Sequence, residues 1–242
     1  EAYGYTYNKV TRTCSTFRYN TNLNSVVANE NNRTYGVGNT SETGTNNTLV
    51  MGENNTVKGF SRNSIITGNQ NEIANGINNA NVSGTLGEAT ADNSTVLGGN
   101  TNGDALGERQ TMTMMFGRQT DVGTNKASYL NNTTDSYFAV PENTILFFHA
   151  YVVAVRVGGS AGGNVGDYAS WVERGVVINK SGVLSVSRER DAIKSSGTVS
   201  GWQPTGAILG TDFYIKVRGA ANMDIEWAST VTFTQIKTGV AL

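Results

Sequence analysis

Between residues 47 and 98 apolar positions return at a period too long for a helix and too regular for a loop. Segments 47–52, 63–68, 79–84 and 93–98 share one pattern: an Asn, three residues ending in an aliphatic, one variable residue and a Gly. The aliphatics are Val50, Ile66, Val82 and Val96, and the glycines are Gly52, Gly68, Gly84 and Gly98, spaced 16, 16 and 14 apart. A second, shorter half of each unit ends in another aliphatic, such as Val57 or Ile73. Even a leucine-rich repeat needs about 20–29 residues. A shorter unit suits one coil of a narrow parallel β-solenoid, with two short strands and two turns. The aliphatic points inward, the Gly takes a backbone conformation that a Cβ opposes, and the Asn residues serve the turns. Stacked Asn at equivalent corners are expected to form amide ladders.

After residue 128 the pattern changes. Residues 145–157 are apolar on both faces, as in a central strand. Residues 168–178, with a bulge expected at Gly175, and 183–186 read as further strands. Residues 212–218 and 225–236 alternate, with Phe213, Ile215 and Val217 on one side of the former. Short strands, Gly turns and no amphipathic helix predict an antiparallel β-sandwich or jelly roll. The expected fold is therefore all-β: a parallel β-solenoid (β-roll) shaft over 33–127 and a C-terminal sandwich over 128–242. Residues 1–32 are expected to form an N-terminal cap or attachment segment.

Two aliphatics or a few more per coil make a thin core, and a slender stack needs caps or partners. Three copies sharing one axis would supply them, so a homotrimer is expected. The unit Asn63-Ser64-Ile65-Ile66-Thr67-Gly68-Asn69-Gln70-Asn71 resembles the head repeats of trimeric autotransporter adhesins, and related repeats occur in phage tail fibres. The resemblance covers roughly residues 33–120 and implies a left-handed trimeric β-roll. It departs from the adhesin pattern at Asn71, where Ala is usual. A repeat shaft followed by a compact domain resembles phage fibres, whose C-terminal knob carries receptor contacts. This resemblance implies a non-enzymatic virion attachment protein, on the tail or the capsid, assembled in the host cytoplasm. Its partners would be two further copies of itself, other virion proteins and a host-surface glycan or protein. The head of a bacterial surface adhesin and a tailspike depolymerase are the alternatives.

Composition narrows the chemistry. Charged residues make up 15% of 242, and the net charge of −1 offers no basic stripe for nucleic acid. No apolar run reaches the roughly 20 residues of a membrane span. The one cysteine, Cys14, cannot form an intrachain disulfide. No cofactor or metal site is expected: with one His and one Cys, zinc has no ligand set. His149, inside the most apolar strand, reads as a packed core histidine. The carboxylates Glu53, Glu72, Glu88 and Asp104 read as surface groups of the shaft. The Gly-rich run 158–163 lacks the Lys and following helix of a phosphate loop and reads as a flexible hairpin. Residues 188–191, Arg-Glu-Arg-Asp, read as a solvated loop. Receptor-contact candidates are Trp202, Tyr168, Tyr214 and Trp171, because exposed aromatics suit binding surfaces, with Trp202 foremost.

Overall fold

A Cβ on Gly52 would stand 2.0 Å from the carbonyl oxygen of Gly68, and one on Gly68 2.0 Å from that of Gly84. The three residues have φ of +120°, +112° and +94°. This glycine ladder is what a 16-residue coil stacked in register produces. The structure, a computed structural model, describes residues 31–99, 105–131, 135–197 and 199–242, together with two short strands near the N-terminus. Those two, β1 (Thr6–Asn8) and β2 (Thr13–Ser15), pair antiparallel. The rest of the expected cap, the Cys14 side chain and Asp104 lie outside the described residues.

The coils alternate long and short strands. The long ones are β3 (Arg33–Val37), β5 (Asn46–Glu53), β7 (Arg62–Asn69), β9 (Asn81–Gly84) and β11 (Ser94–Gly98). The short ones are β4 (Thr40–Ser41), β6 (Thr56–Val57), β8 (Glu72–Ile73) and β10 (Glu88–Ala89). Each set forms a parallel stack. Val50, Ile66, Val82 and Val96 lie in register and are fully buried, facing Val57, Ile73 and Ala89 of the short strands. Asn47, Asn63, Asn79 and Asn93 all occupy left-handed φ of 52° to 59°, a region Asn tolerates better than most residues. Asn47 Nδ2 donates to Asn63 Oδ1 at 3.0 Å and Asn79 Nδ2 to Asn93 Oδ1 at 2.8 Å.

The second half comprises β12 (Arg109–Thr120), β13 (Asn125–Ala127), β14 (Phe138–Ala139), β15 (Thr144–Gly158), β16 (Tyr168–Lys180), β17 (Val183–Ser195), β18 (Gln203–Leu209), β19 (Asp212–Arg218) and β20 (Asp224–Lys237). No helix occurs among the described residues. β12 pairs with solenoid strand β11 on one edge and along all 12 residues with β20 on the other. The long solenoid strands therefore continue without a break into an antiparallel sheet. The result is ten strands in the order β17-β16-β15-β20-β12-β11-β9-β7-β5-β3. A smaller sheet of β18, β19, β13 and β14 covers the inner face of its antiparallel part. Phe148 and Phe233 of the large sheet meet Phe213 of the small one at ring separations of 5.0 and 5.4 Å. Burying such aromatic side chains is the main stabilising term here, at about 1.5–3 kcal/mol each.

Three local expectations change. The bulge lies between Ser170 and Trp171, while Gly175 pairs regularly with Phe148 and Arg188. A Cβ at Gly175 would stand 2.1 Å from the Ser187 oxygen, so that Gly serves a close strand approach. Residues 188–191 are part of β17, where Arg174 bonds both Glu189 and Asp191 at 2.9 and 2.8 Å. The Gly run is tied down by Arg156, which is 3% exposed. Its guanidinium donates to the carbonyls of Gly158, Gly159, Ala161 and Gly162 at 2.7–2.8 Å.

Candidate functional site

Alternation in β15 sends Leu146, Phe148, Ala150 and Val152 inward, and Phe147, His149, Tyr151 and Val153 outward. The strands between the two ends of the large sheet, β5, β7, β9, β11, β12, β20, β15 and β16, share this inward face, and their outer face is uncovered. Paired positions run across it from Tyr35 to Met51 at one end, through Leu97, Thr111, Thr234 and Phe147 to Val176 at the other. On this face Tyr35, Met51, Ile65, Leu97, Met115, Phe147, Tyr151 and Val153 are each at least 39% exposed. Threonines fill the middle, with Thr113 and Thr232 hydroxyls 3.2 Å apart. Two shallow depressions lie on it. One, of about 460 Å³, is lined by Tyr151, Val153, Val172 and Ile193; the other, of about 410 Å³, by Leu97, Arg109, Thr111 and Ile236. Soluble proteins rarely leave this many large apolar side chains exposed on one face.

His149 belongs to this face and not to the core. It is half-buried, its ring 4.7 Å from that of Tyr151, opposite Thr232 and Arg174. The sequence pattern misplaced it because a strand apolar on both sides looks doubly buried.

The aromatic candidates part company. Trp202 is 4% exposed and Trp171 7%, so neither offers an open stacking face. Both pack on Trp227, at 6.2 and 5.6 Å, beneath the β16–β17 edge. The surface role expected for Trp202 is thereby corrected: its loop folds over the end of the core. A pocket of about 190 Å³ remains beside the pair, lined by Ser170, Trp171, Lys194, Ser195, Val199 and Trp202. The Trp202 Nε1–H is buried with no acceptor. Tyr168 is exposed at the start of β16. Tyr214 stacks on Tyr137 at 5.0 Å, which in turn lies 5.8 Å from Tyr129. Burial, then the bond to Asp135, pushes the Tyr137 hydroxyl up to about 12.

Next to Trp171 on the inner face of β16 stands Glu173, 1% exposed. Its Oε2 accepts from Gly206 N–H at 3.0 Å and from Arg188 Nε at 3.2 Å, while its Oε1 is buried without a partner. Burial raises this carboxyl, and Gly206, Arg188 and Arg190 only partly offset it. Sequence reading missed Glu173, since nothing in its flanking residues marks it as interior. On the solenoid, Glu72 and Glu88 occupy matching positions on adjacent coils. Lys58 holds the first at 3.0 Å and Lys237 the second at 3.4 Å. No group of three metal-ligating side chains occurs among the described residues. No helix among them is long and apolar enough to cross a membrane.

No protein-family model matches the chain, and no curated protein does. Among solved structures it is similar to a tailspike protein of Acinetobacter baumannii phage AM24, with 10% identity and a TM-score of 0.34 over 87% of this chain. It is also similar to a tailspike protein of Acinetobacter baumannii bacteriophage Fri1, a capsular polysaccharide depolymerase, with 7% identity and a TM-score of 0.30 over 78%. The Acinetobacter phage vB_ApiP_P1 tailspike gives 10% identity and a TM-score of 0.22 over 85%. This chain spans 51%, 38% and 47% of those three. At these values the likeness assigns no residue a role. It does correct the expectation that the chain is no enzyme, because one of the similar proteins is a depolymerase. Glycoside hydrolysis requires only two suitably spaced carboxyl groups, so the lack of a His- or Cys-based centre does not argue against it. The structural neighbours of this all-β solenoid chain are phage tailspike proteins.

Proposed function

We propose that this chain is a subunit of a trimeric phage tail fibre or tailspike that attaches the virion to a host-surface glycan. The observation that supports it is the uncovered outer face of the large sheet, on which Tyr35, Met51, Ile65, Leu97, Met115, Phe147, Tyr151 and Val153 are exposed. That face runs along the solenoid stack, so rotation about an axis parallel to the stack brings like regions of several copies together at equal height. Three copies around such an axis cover each other's faces and shield a core of about two aliphatics per coil, which is thin for a free-standing rod. The depressions beside Tyr151 and Leu97 would receive protruding side chains of neighbouring copies. The outward surfaces, including the small sheet and the β17 edge, then face the host.

Native mass measurement tests the assembly. A mass near three times 25.7 kDa is expected, and a monodisperse monomer or dimer overturns it. Phe147→Glu, which places a charge in the apolar face, is expected to yield monomers. Fluorescent protein applied to host cells with and without their surface polysaccharide tests attachment. Loss of binding on polysaccharide removal is expected; release of reducing ends in the same mixture would add cleavage to attachment.

A further inference from the structure

We propose that the outer face of the small sheet binds an anionic stretch of the host-surface polysaccharide. This deepens the attachment reading, on which it rests, by naming a surface and a ligand charge. Alternation in β19 buries Phe213, Ile215 and Val217 and turns Tyr214, Lys216 and Arg218 away from the core. Alternate residues of a strand stand about 6.5 Å apart, so the three form a row with room for a short run of linked sugar rings. Their cross-strand neighbours are small or uncharged. Lys216 lies opposite Thr205 on β18 and Ala127 on β13, and Arg218 lies opposite Gln203 and Asn125.

The positive charge on this row is not neutralised by the protein. Neither Lys216 nor Arg218 has an ion pair among the described residues. Arg218 is steadied instead by its Nε, which donates to the Gly123 carbonyl at 3.0 Å. Arg190 of β17 adds a third cation. It is exposed, and its Nη1 donates to the Pro204 carbonyl at 2.8 Å and to Thr205 Oγ1 at 3.4 Å, on the residue that Lys216 faces. The acid of β19, Asp212, lies at the far end of the strand, beyond Tyr214. In a chain of net charge −1, such a strip is a local concentration of cations, and it suits the carboxylates of acidic sugars. Tyr214, packed against Tyr137, ends the row with an apolar ring and a hydroxyl tip. A nucleic acid would call for a longer basic stripe.

Calorimetric titration of the full chain with tetragalacturonate and with maltotetraose tests the site. The galacturonate is expected to bind roughly tenfold more tightly, and to weaken as salt rises. Lys216→Gln leaves no bonded partner behind, so it is expected to keep the unfolding midpoint and to weaken galacturonate binding several-fold. Lys216→Glu reverses the charge and is expected to abolish that binding while sparing the midpoint. Binding of neither sugar, equal binding of both, or unchanged galacturonate affinity in the two variants overturns the proposal. So does tighter binding of a single-stranded DNA oligomer than of tetragalacturonate. A trimer that adsorbs to cells yet binds neither sugar loses this site and keeps the attachment reading. A monomer that binds tetragalacturonate keeps the site and loses that reading.

Discussion

The side-chain oxygen of Asn55 accepts from both the backbone N–H and the side-chain amide of Asn71, at 3.0 and 3.1 Å, one coil further on. Asn71 repeats the arrangement, accepting from Gly87 N–H at 2.7 Å and donating to the carbonyls of Thr67 and Gly84 at 3.0 and 2.9 Å. It is 1% exposed. Asn71→Ala would leave several buried polar groups unpaired, at about 1–3 kcal/mol for each group left so. A loss of about 2–4 kcal/mol is expected in urea unfolding. Asn47→Ala, which breaks one exposed ladder bond to Asn63 and puts an alanine at a left-handed φ of 52°, is expected to cost about 1–2 kcal/mol, mostly from that strain.

Glycine positions in the coil differ in what they tolerate. Gly68→Ala meets the Gly84 carbonyl at 2.0 Å, and the neighbouring coil cannot retreat without breaking its own ladder. This variant is expected to be insoluble or to lose at least 3 kcal/mol. Gly76 has φ of +77° and open space around its missing Cβ, so Gly76→Ala carries only the left-handed strain of about 1–2 kcal/mol. The ranking is readable from expression yield and thermal unfolding.

Glu173 predicts a pH dependence. Burial raises its carboxyl in the folded state, so between its unfolded and folded values the native protein holds more protons than the unfolded chain. Stability from this group is fully present below the unfolded value and is lost as pH rises through the folded one. Unfolding free energy of wild type relative to Glu173→Gln should therefore fall from pH 4 towards pH 7. A difference that rises over this window would refute the assignment.

Arg156 organises the loop after β15 through four carbonyls. Arg156→Lys keeps the charge but lacks the planar fork. It is expected to cost about 2 kcal/mol, since the cation is buried and an ammonium cannot reach all four carbonyls. Faster hydrogen exchange confined to residues 158–167 would show that the loss is local.

The sequence determined the coil by itself. A stacked coil needs an inward aliphatic, a Gly where two backbones touch and an Asn at each left-handed corner, and these are local, repeated demands. Val50, Gly52 and Asn47 could therefore be placed from spacing alone, as could the strands around Phe213 and Phe233. Only the tertiary structure decided which side of an all-apolar strand meets water. Phe147 and Phe148, or His149 and Ala150, are alike in sequence neighbourhood, and pairing with β20 and β16 separates them. It also decided that Trp202 turns inward and Glu173 is buried, because both depend on where β18 lies over β16. That packing joins residues more than thirty positions apart, and no local pattern records it.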